Sequence, residues 1–234
     1  GMQFYNISGW VEKAEEENFI AVFPTGISYN TLDAAVKKTK WSSDGLVNDL
    51  PAGTEIVDDE PFFREMVRLI SESLNINKRR IYLSGFSNGS GFVKSRGLRD
   101  MNDLFAAACA SGGVGLPITL EKPDGYRVPL FNIVGTMDDR VWENFGVMTE
   151  LPLDMDEFLE LEGADNLISN ILDYLELENS FTQNPSPPKG NFVTYDNSIT
   201  GNDSEYIIFL ANDLQHRFPN GNNNPQNIDA TDFV

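Results

Sequence analysis

Gly85-Phe86-Ser87-Asn88-Gly89 sets a serine between two glycines, directly after the short strand-like run Ile81-Tyr82-Leu83-Ser84 and ahead of a plausible helix. A G-x-S-x-G pattern in that setting is a candidate nucleophile elbow. It is a sharp turn that lifts the serine hydroxyl off a sheet and aims the following amides at a developing oxyanion. A Cβ at either glycine is expected to collide with neighbouring backbone. The bare pattern is common by chance, and the strand and helix around it give it meaning. A serine hydroxyl is a poor nucleophile until a base takes its proton. The chain has one histidine, His216, in Asn212-Asp213-Leu214-Gln215-His216-Arg217-Phe218-Pro219. A carboxylate must then accept a hydrogen bond from the imidazole and stabilise its charged form. The run Gly135-Thr136-Met137-Asp138-Asp139, after a strand-like segment, supplies one. Spacing alone does not separate Asp138 from Asp139. Asp213 lies too close to His216 in sequence to orient it easily, and a helix cap accounts for Asp58 and Asp59. The chemistry this set would do is acyl transfer through a covalent acyl-enzyme.

The elements that must position these groups follow from periodicity. Residues 8–18 read as a helix, with Ile7, Trp10, Val11 and Ala14 on one face and Asn6 or Ser8 as cap. Residues 19–23 read as a buried strand stopped by Pro24 and Gly26, and 28–57 mostly as loop around Trp41. Asp58-Asp59-Glu60-Pro61 opens a helix, with acids at the positive end of its dipole and Phe63, Met66, Val67, Ile70 and Leu74 at helical spacing. Further strands are expected over 105–110, 128–134 and 206–211. Residues 165–177 form a helix, with Leu167, Ile168, Ile171, Leu172 and Leu175 on one face. No Lys or Arg stands between Arg140 and Lys189. Within that acidic stretch, 148–162 reads as a solvated insertion rather than a lid, and 182–190 as a linker. The chain is thus expected to be a single domain over 1–234 with an acidic insertion at about 146–165. Alternating buried strands and amphipathic helices point to an α/β fold with a mostly parallel sheet flanked by helices. The polar groups sit at its carboxyl edge, where open sheets of this kind bind ligands.

Composition narrows the partners. A formal charge of −19 and a pI near 4.2 argue against nucleic acid and against anionic membranes. No apolar run approaches the roughly 18 to 20 residues a membrane span needs. One cysteine, Cys109, excludes an intramolecular disulfide, and with one histidine it leaves too few soft ligands for a structural zinc site. No cofactor and no metal are expected.

The order Ser87, Asp138, His216 is that of α/β-hydrolases, and further motifs sharpen the likeness. Phe23-Pro24-Thr25-Gly26, Trp41, Asp58-Asp59-x-x-Phe62, the elbow, Phe105-Ala106-Ala107, Gly135-Thr136-Met137-Asp138 and His216-Arg217-Phe218-Pro219 stand in the same order along the chain. Together they resemble the polyhydroxybutyrate depolymerase and feruloyl esterase-like family of α/β-hydrolases, except over roughly 146–165. The resemblance implies a serine esterase acting on short hydroxyalkanoate, acetyl or feruloyl-type esters. The ester would be small, or carried on a polysaccharide or polyester. An extracellular or cell-envelope setting is also implied. It favours Asp138 over Asp139, and assigns Ser87 as nucleophile, His216 as base and then acid, and the Asn88 amide as one oxyanion donor. Trp41, Trp142 and Phe218 are candidates to line the substrate pocket. Three departures stand out. Only eight or so residues precede the first helix, with no His-Gly-Gly-like loop to donate a second oxyanion amide, so an amino-terminally truncated fold is expected. The chain stops where relatives begin a final helix. Ser90 stands where the family has glycine. The shortened sheet is also expected to expose an edge through which the chain could self-associate.

Overall fold

The computed structural model describes residues 1–33, 36–113, 125–147 and 149–233. Its helices are α1 (Met2–Ile7), α2 (Trp10–Glu17), α3 (Glu60–Ser73), α4 (Asn88–Phe92), α5 (Asp139–Trp142), α6 (Met155–Leu159) and α7 (Ala164–Leu175). Its strands are β1 (Ile27–Tyr29), β2 (Lys38–Lys40), β3 (Tyr82–Phe86), β4 (Ala107–Ser111), β5 (Leu130–Gly135), β6 (Thr182–Ser186), β7 (Gly190–Tyr195) and β8 (Tyr206–Ala211). The first two pair only with each other. The other six form one sheet in the order β3-β4-β5-β8-β7-β6. From β3 to β8 the pairing is parallel, and β7 and β6 add on antiparallel. The fold is therefore α/β with a mostly parallel sheet.

Both faces of the sheet are covered, which is why its strands are short continuous apolar runs. Ala108, Ala110, Leu130, Val134, Ile208 and Leu210 turn to one side, where they meet Phe63 of α3, Phe92 of α4, Phe158 of α6 and the apolar stripe of α7. Cys109, Ile133, Phe209 and Ala211 alternate to the other side. There they meet Phe4, Trp10 and the loop residues Leu214, Phe218 and Ile228. The two-residue period of the strands thus divides one apolar run between two cores.

Four expectations fail. Residues 19–23 join no ladder, and Phe19, Ile20 and Val22 are exposed. An apolar run becomes a strand only beside another one, and among the described residues the sheet begins at β3 with none beyond it. Residues 182–190 are a hairpin rather than a linker: β6 pairs with β7 from Thr182↔Thr194 to Ser186↔Gly190. Pro185 is tolerated because β6 is an edge strand. The helix expected over 8–18 is α2, but its N-cap is Gly9 rather than Asn6 or Ser8, and 2–7 form a helix of their own. Residues 149–162 are not a solvated insertion, because Leu151, Met155 and Phe158 are all at most 1% exposed within the main core; Met148 lies outside the described residues. Asp154 caps α6, its side chain accepting from the Asp156 and Glu157 amides.

Truncating Phe158 to alanine should therefore cost about 3 kcal/mol or more of unfolding free energy. Urea denaturation of Phe158→Ala measures it, and a loss within about 0.5 kcal/mol would match a solvated segment instead.

Candidate active site

The turn at Ser87 is tight because two backbone segments nearly touch. A Cβ on Gly85 would stand 2.2 Å from the carbonyl oxygen of Gly89, so only glycine fits there. Gly89 differs from the sequence expectation: the nearest atom to a Cβ built on it is Trp41 Cδ1 at 3.9 Å, and the position has room. Ser87 itself adopts φ 55° and ψ −117°, a conformation that costs a non-glycine residue on the order of 1–3 kcal/mol and recurs where a side chain must be presented. Its amide donates to Ser111 O at 2.9 Å and its carbonyl accepts from Gly91 N at 3.1 Å, so both sides of the turn are tied down. α4 then runs on into a turn of π-helix, Val93–Gly97.

His216 and Asp138 reach this turn from the ends of β8 and β5. His216 Nε2 lies 3.0 Å from Ser87 Oγ, and Nδ1 lies 2.9 Å from Asp138 Oδ2 and 3.1 Å from Oδ1. With the ring proton on Nδ1, that nitrogen donates to the carboxylate and Nε2 is free to accept the serine proton. Asp138 is 1% exposed and also accepts from Arg140 N at 3.1 Å, whereas Asp139 is exposed on the first turn of α5. The two aspartates that spacing left open are thus turned to different places. Asp213 is turned away as well, its Oδ2 accepting from Gln226 Nε2 at 2.6 Å.

Thr136 joins the acid and base loops. Its amide donates to Ala211 O at 2.9 Å, and its hydroxyl oxygen accepts from Asp213 N at 3.0 Å. Its carbonyl accepts from Leu151 N and from Trp142 Nε1, both at 2.9 Å. Met137 N donates to Leu214 O at 3.1 Å. The turn carrying Asp138 and the loop carrying His216 are therefore one hydrogen-bonded unit.

The Asn88 amide opens the first turn of α4, where a helix has no internal acceptor to offer it. Its side chain has a separate task. Oδ1 accepts from Trp41 N at 2.6 Å, and Nδ2 donates to Trp41 O at 3.1 Å and to Ser43 Oγ at 3.0 Å. Asp59 completes the clamp, its Oδ2 accepting from Ser42 N at 2.7 Å while its amide donates to Ser42 Oγ at 3.1 Å. Trp41 is half-buried against Phe63 and Phe92, with ring centroids 5.4 and 5.6 Å away. Trp142 is half-buried, with its indole nitrogen committed to Thr136. Phe218 is 1% exposed and packs on Phe4 and Phe86. It is core rather than pocket wall, because a side chain so enclosed has no face to offer a substrate.

Two buried groups near the elbow are given no role by the sequence, Lys94 unremarked and Ser90 noted only as a departure from the family's glycine. Lys94 is 1% exposed on the π turn, its ammonium donating to Gly113 O and lying 3.4 Å from Asn132 Oδ1. Ser90, fully buried, donates to the same Gly113 carbonyl at 3.2 Å. Burial without a carboxylate partner pushes the Lys94 ammonium down to about 7. Burial also pushes the Cys109 thiol up to about 12, which removes it as a competing nucleophile.

An α/β sheet thus carries a serine, a histidine and an aspartate in one hydrogen-bonded chain at its carboxyl edge. No protein-family model matches the chain. Among curated proteins it is similar to a bifunctional acetylxylan esterase/xylanase from Neocallimastix patriciarum, at 29% identity over 133 residues. Those residues are 56% of this chain and 16% of that protein, so the chain spans a small part of its relative's length. The likeness supports a distant esterase relationship.

Lys94 also fixes a pH dependence. Between pH 7 and about 10 the unfolded chain keeps a proton that folded Lys94 has released, so its contribution to stability rises with pH there and its cost is complete below pH 7. Urea unfolding at pH 7, 8 and 9 should show wild type gaining on Lys94→Met by about 1.4 kcal/mol per pH unit. A difference constant across that range would show that the lysine titrates normally.

Proposed function

We propose that the chain is a serine esterase of the α/β-hydrolase type, cleaving carboxylic esters through an acyl-enzyme. The observation that carries this reading is the continuous contact Ser87 Oγ–His216 Nε2–His216 Nδ1–Asp138, at 3.0 and 2.9 Å. In the first half-reaction His216 takes the Ser87 proton as Oγ attacks the acyl carbon, and the oxyanion forms over the Asn88 amide. The imidazolium, steadied by Asp138, returns that proton to the leaving alcohol as the tetrahedral intermediate collapses. Water enters by the same route in the second half, with His216 again the base. Acetyl esters on polysaccharide are the first substrates to test, since the similar Neocallimastix patriciarum protein is named a bifunctional acetylxylan esterase/xylanase; short hydroxyalkanoate and feruloyl esters follow.

A second reading has its own support. The amides of the segment clamped to the elbow are all engaged: Trp41 N with Asn88 Oδ1, Ser42 N with Asp59 Oδ2, and Ser43 N with Trp41 O. None is spare to join Asn88 at an oxyanion, and one missing donor is worth roughly 3 to 4 kcal/mol in the transition state. On that reading the chain is a catalytically impaired relative that binds a ligand or partner, with the outer side of β3 open to a strand from another copy.

A fluorophosphonate probe separates the two. The esterase reading expects labelling of Ser87 in the folded protein, absent in Ser87→Ala, and no label on well-folded wild type would sink it. Hydrolysis of p-nitrophenyl acetate should fall by a factor on the order of a thousand or more in His216→Ala. Equal rates would remove the histidine from the mechanism.

A further inference from the structure

Phe86 precedes the serine and turns to the face of the sheet that carries His216. Its ring centroid lies 4.9 Å from that of the imidazole, with the planes inclined by 37°. Phe218 closes on it edge-first at 6.5 Å and 81°. Behind it, Gly112 at φ 63° makes the room: a Cβ built there would stand 2.3 Å from Phe86 Cε2.

The two hydrogen bonds of His216 leave one motion free. Both nitrogens lie on the axis from Nδ1 to Nε2, so rocking of the ring about that axis changes neither distance and is opposed only through the angles of the two bonds. A tilt keeps both distances while spoiling the alignment of the nitrogen lone pair with the serine proton. A group packed on the face of the ring opposes it directly. We propose that Phe86 is a positioning residue, a flat wall that fixes the plane of the His216 imidazole for transfer of the Ser87 proton. The proposal rests on the esterase reading above and adds to it a residue that acts through His216.

The wall also suits the charge that the ring takes on. As the imidazole becomes imidazolium, the face of a phenyl ring attracts it. Among the charged neighbours, Asp138 bonds Nδ1, Asp213 is held by Gln226, and Arg217 is held by Asn223 O and Gln215 Oε1. Of these, Asp138 bonds the ring at its edge, while Phe86 packs against its face.

The test uses Phe86→Leu and Phe86→Tyr. Phe86→Leu keeps apolar bulk without a flat face, and Phe86→Tyr keeps the face. In Phe86→Leu, kcat for p-nitrophenyl acetate should fall about tenfold or more with KM within about twofold, and the rate of fluorophosphonate labelling should fall in parallel. Phe86→Tyr should restore both. The single histidine makes proton NMR decisive: ring-current shifts of the His216 Hδ2 and Hε1 signals should be lost in Phe86→Leu and kept in Phe86→Tyr. If active wild type and Phe86→Leu share the same kcat, the proposal is overturned and the esterase reading stands. If wild type takes no label, the esterase reading falls, and unchanged histidine shifts in Phe86→Leu would overturn the contact as well. Should Phe86→Leu fail to fold, Phe86→Met carries the same comparison.

Discussion

The approach of Gly85 to Gly89 is the contact on which the rest depends. Bringing the end of β3 within touching distance of the next helical turn forces Ser87 into a conformation that its own side chain disfavours. That strain persists because the surroundings over-determine it. Ser111 holds the Ser87 amide, Phe92 and Val93 anchor the outgoing helix in the main core, and Asn88 grips the segment around Trp41. The serine is presented by packing that lies mostly beneath it.

Two buried ionisable groups flank β5, and they solve the problem of burial differently. Asp138 is enclosed but surrounded by donors, the Arg140 amide and the His216 ring nitrogen, so its charge has company. Lys94 is equally enclosed but meets only neutral oxygens, Gly113 O and Asn132 Oδ1, and gives up its charge more readily. A buried ion without a counter-charge shifts toward its neutral form. The Lys94 side chain ties the end of β4 to the elbow helix through these bonds.

What could be read from the sequence was what local pattern determines. The strand over Tyr206–Ala211 and the helix over Ala164–Leu175 declare themselves by period and burial. The serine, histidine and aspartate that meet in one hydrogen-bonded chain stood out by order and by their places after strands. What depended on a neighbour was not legible. The run at 19–23 has the composition of a strand but no strand beside it, and β6 hides behind the prolines of its turn. Aromatic type did not say whether Phe218 faces a pocket or a core. The contacts of Phe86, Lys94 and Thr136 join segments dozens of residues apart, a pairing that no spacing rule reveals.

Thr136 has a dynamic consequence. Because it lies on the turn that leads from β5 to Asp138 and bonds both the end of β8 and the loop that lead to His216, displacement of either side is coupled to the other. Ser87 follows the end of β3, and β4 lies between β3 and β5. The imidazole and the carboxylate are therefore braced to each other through adjacent strands, whereas the serine is braced to them through an intervening one.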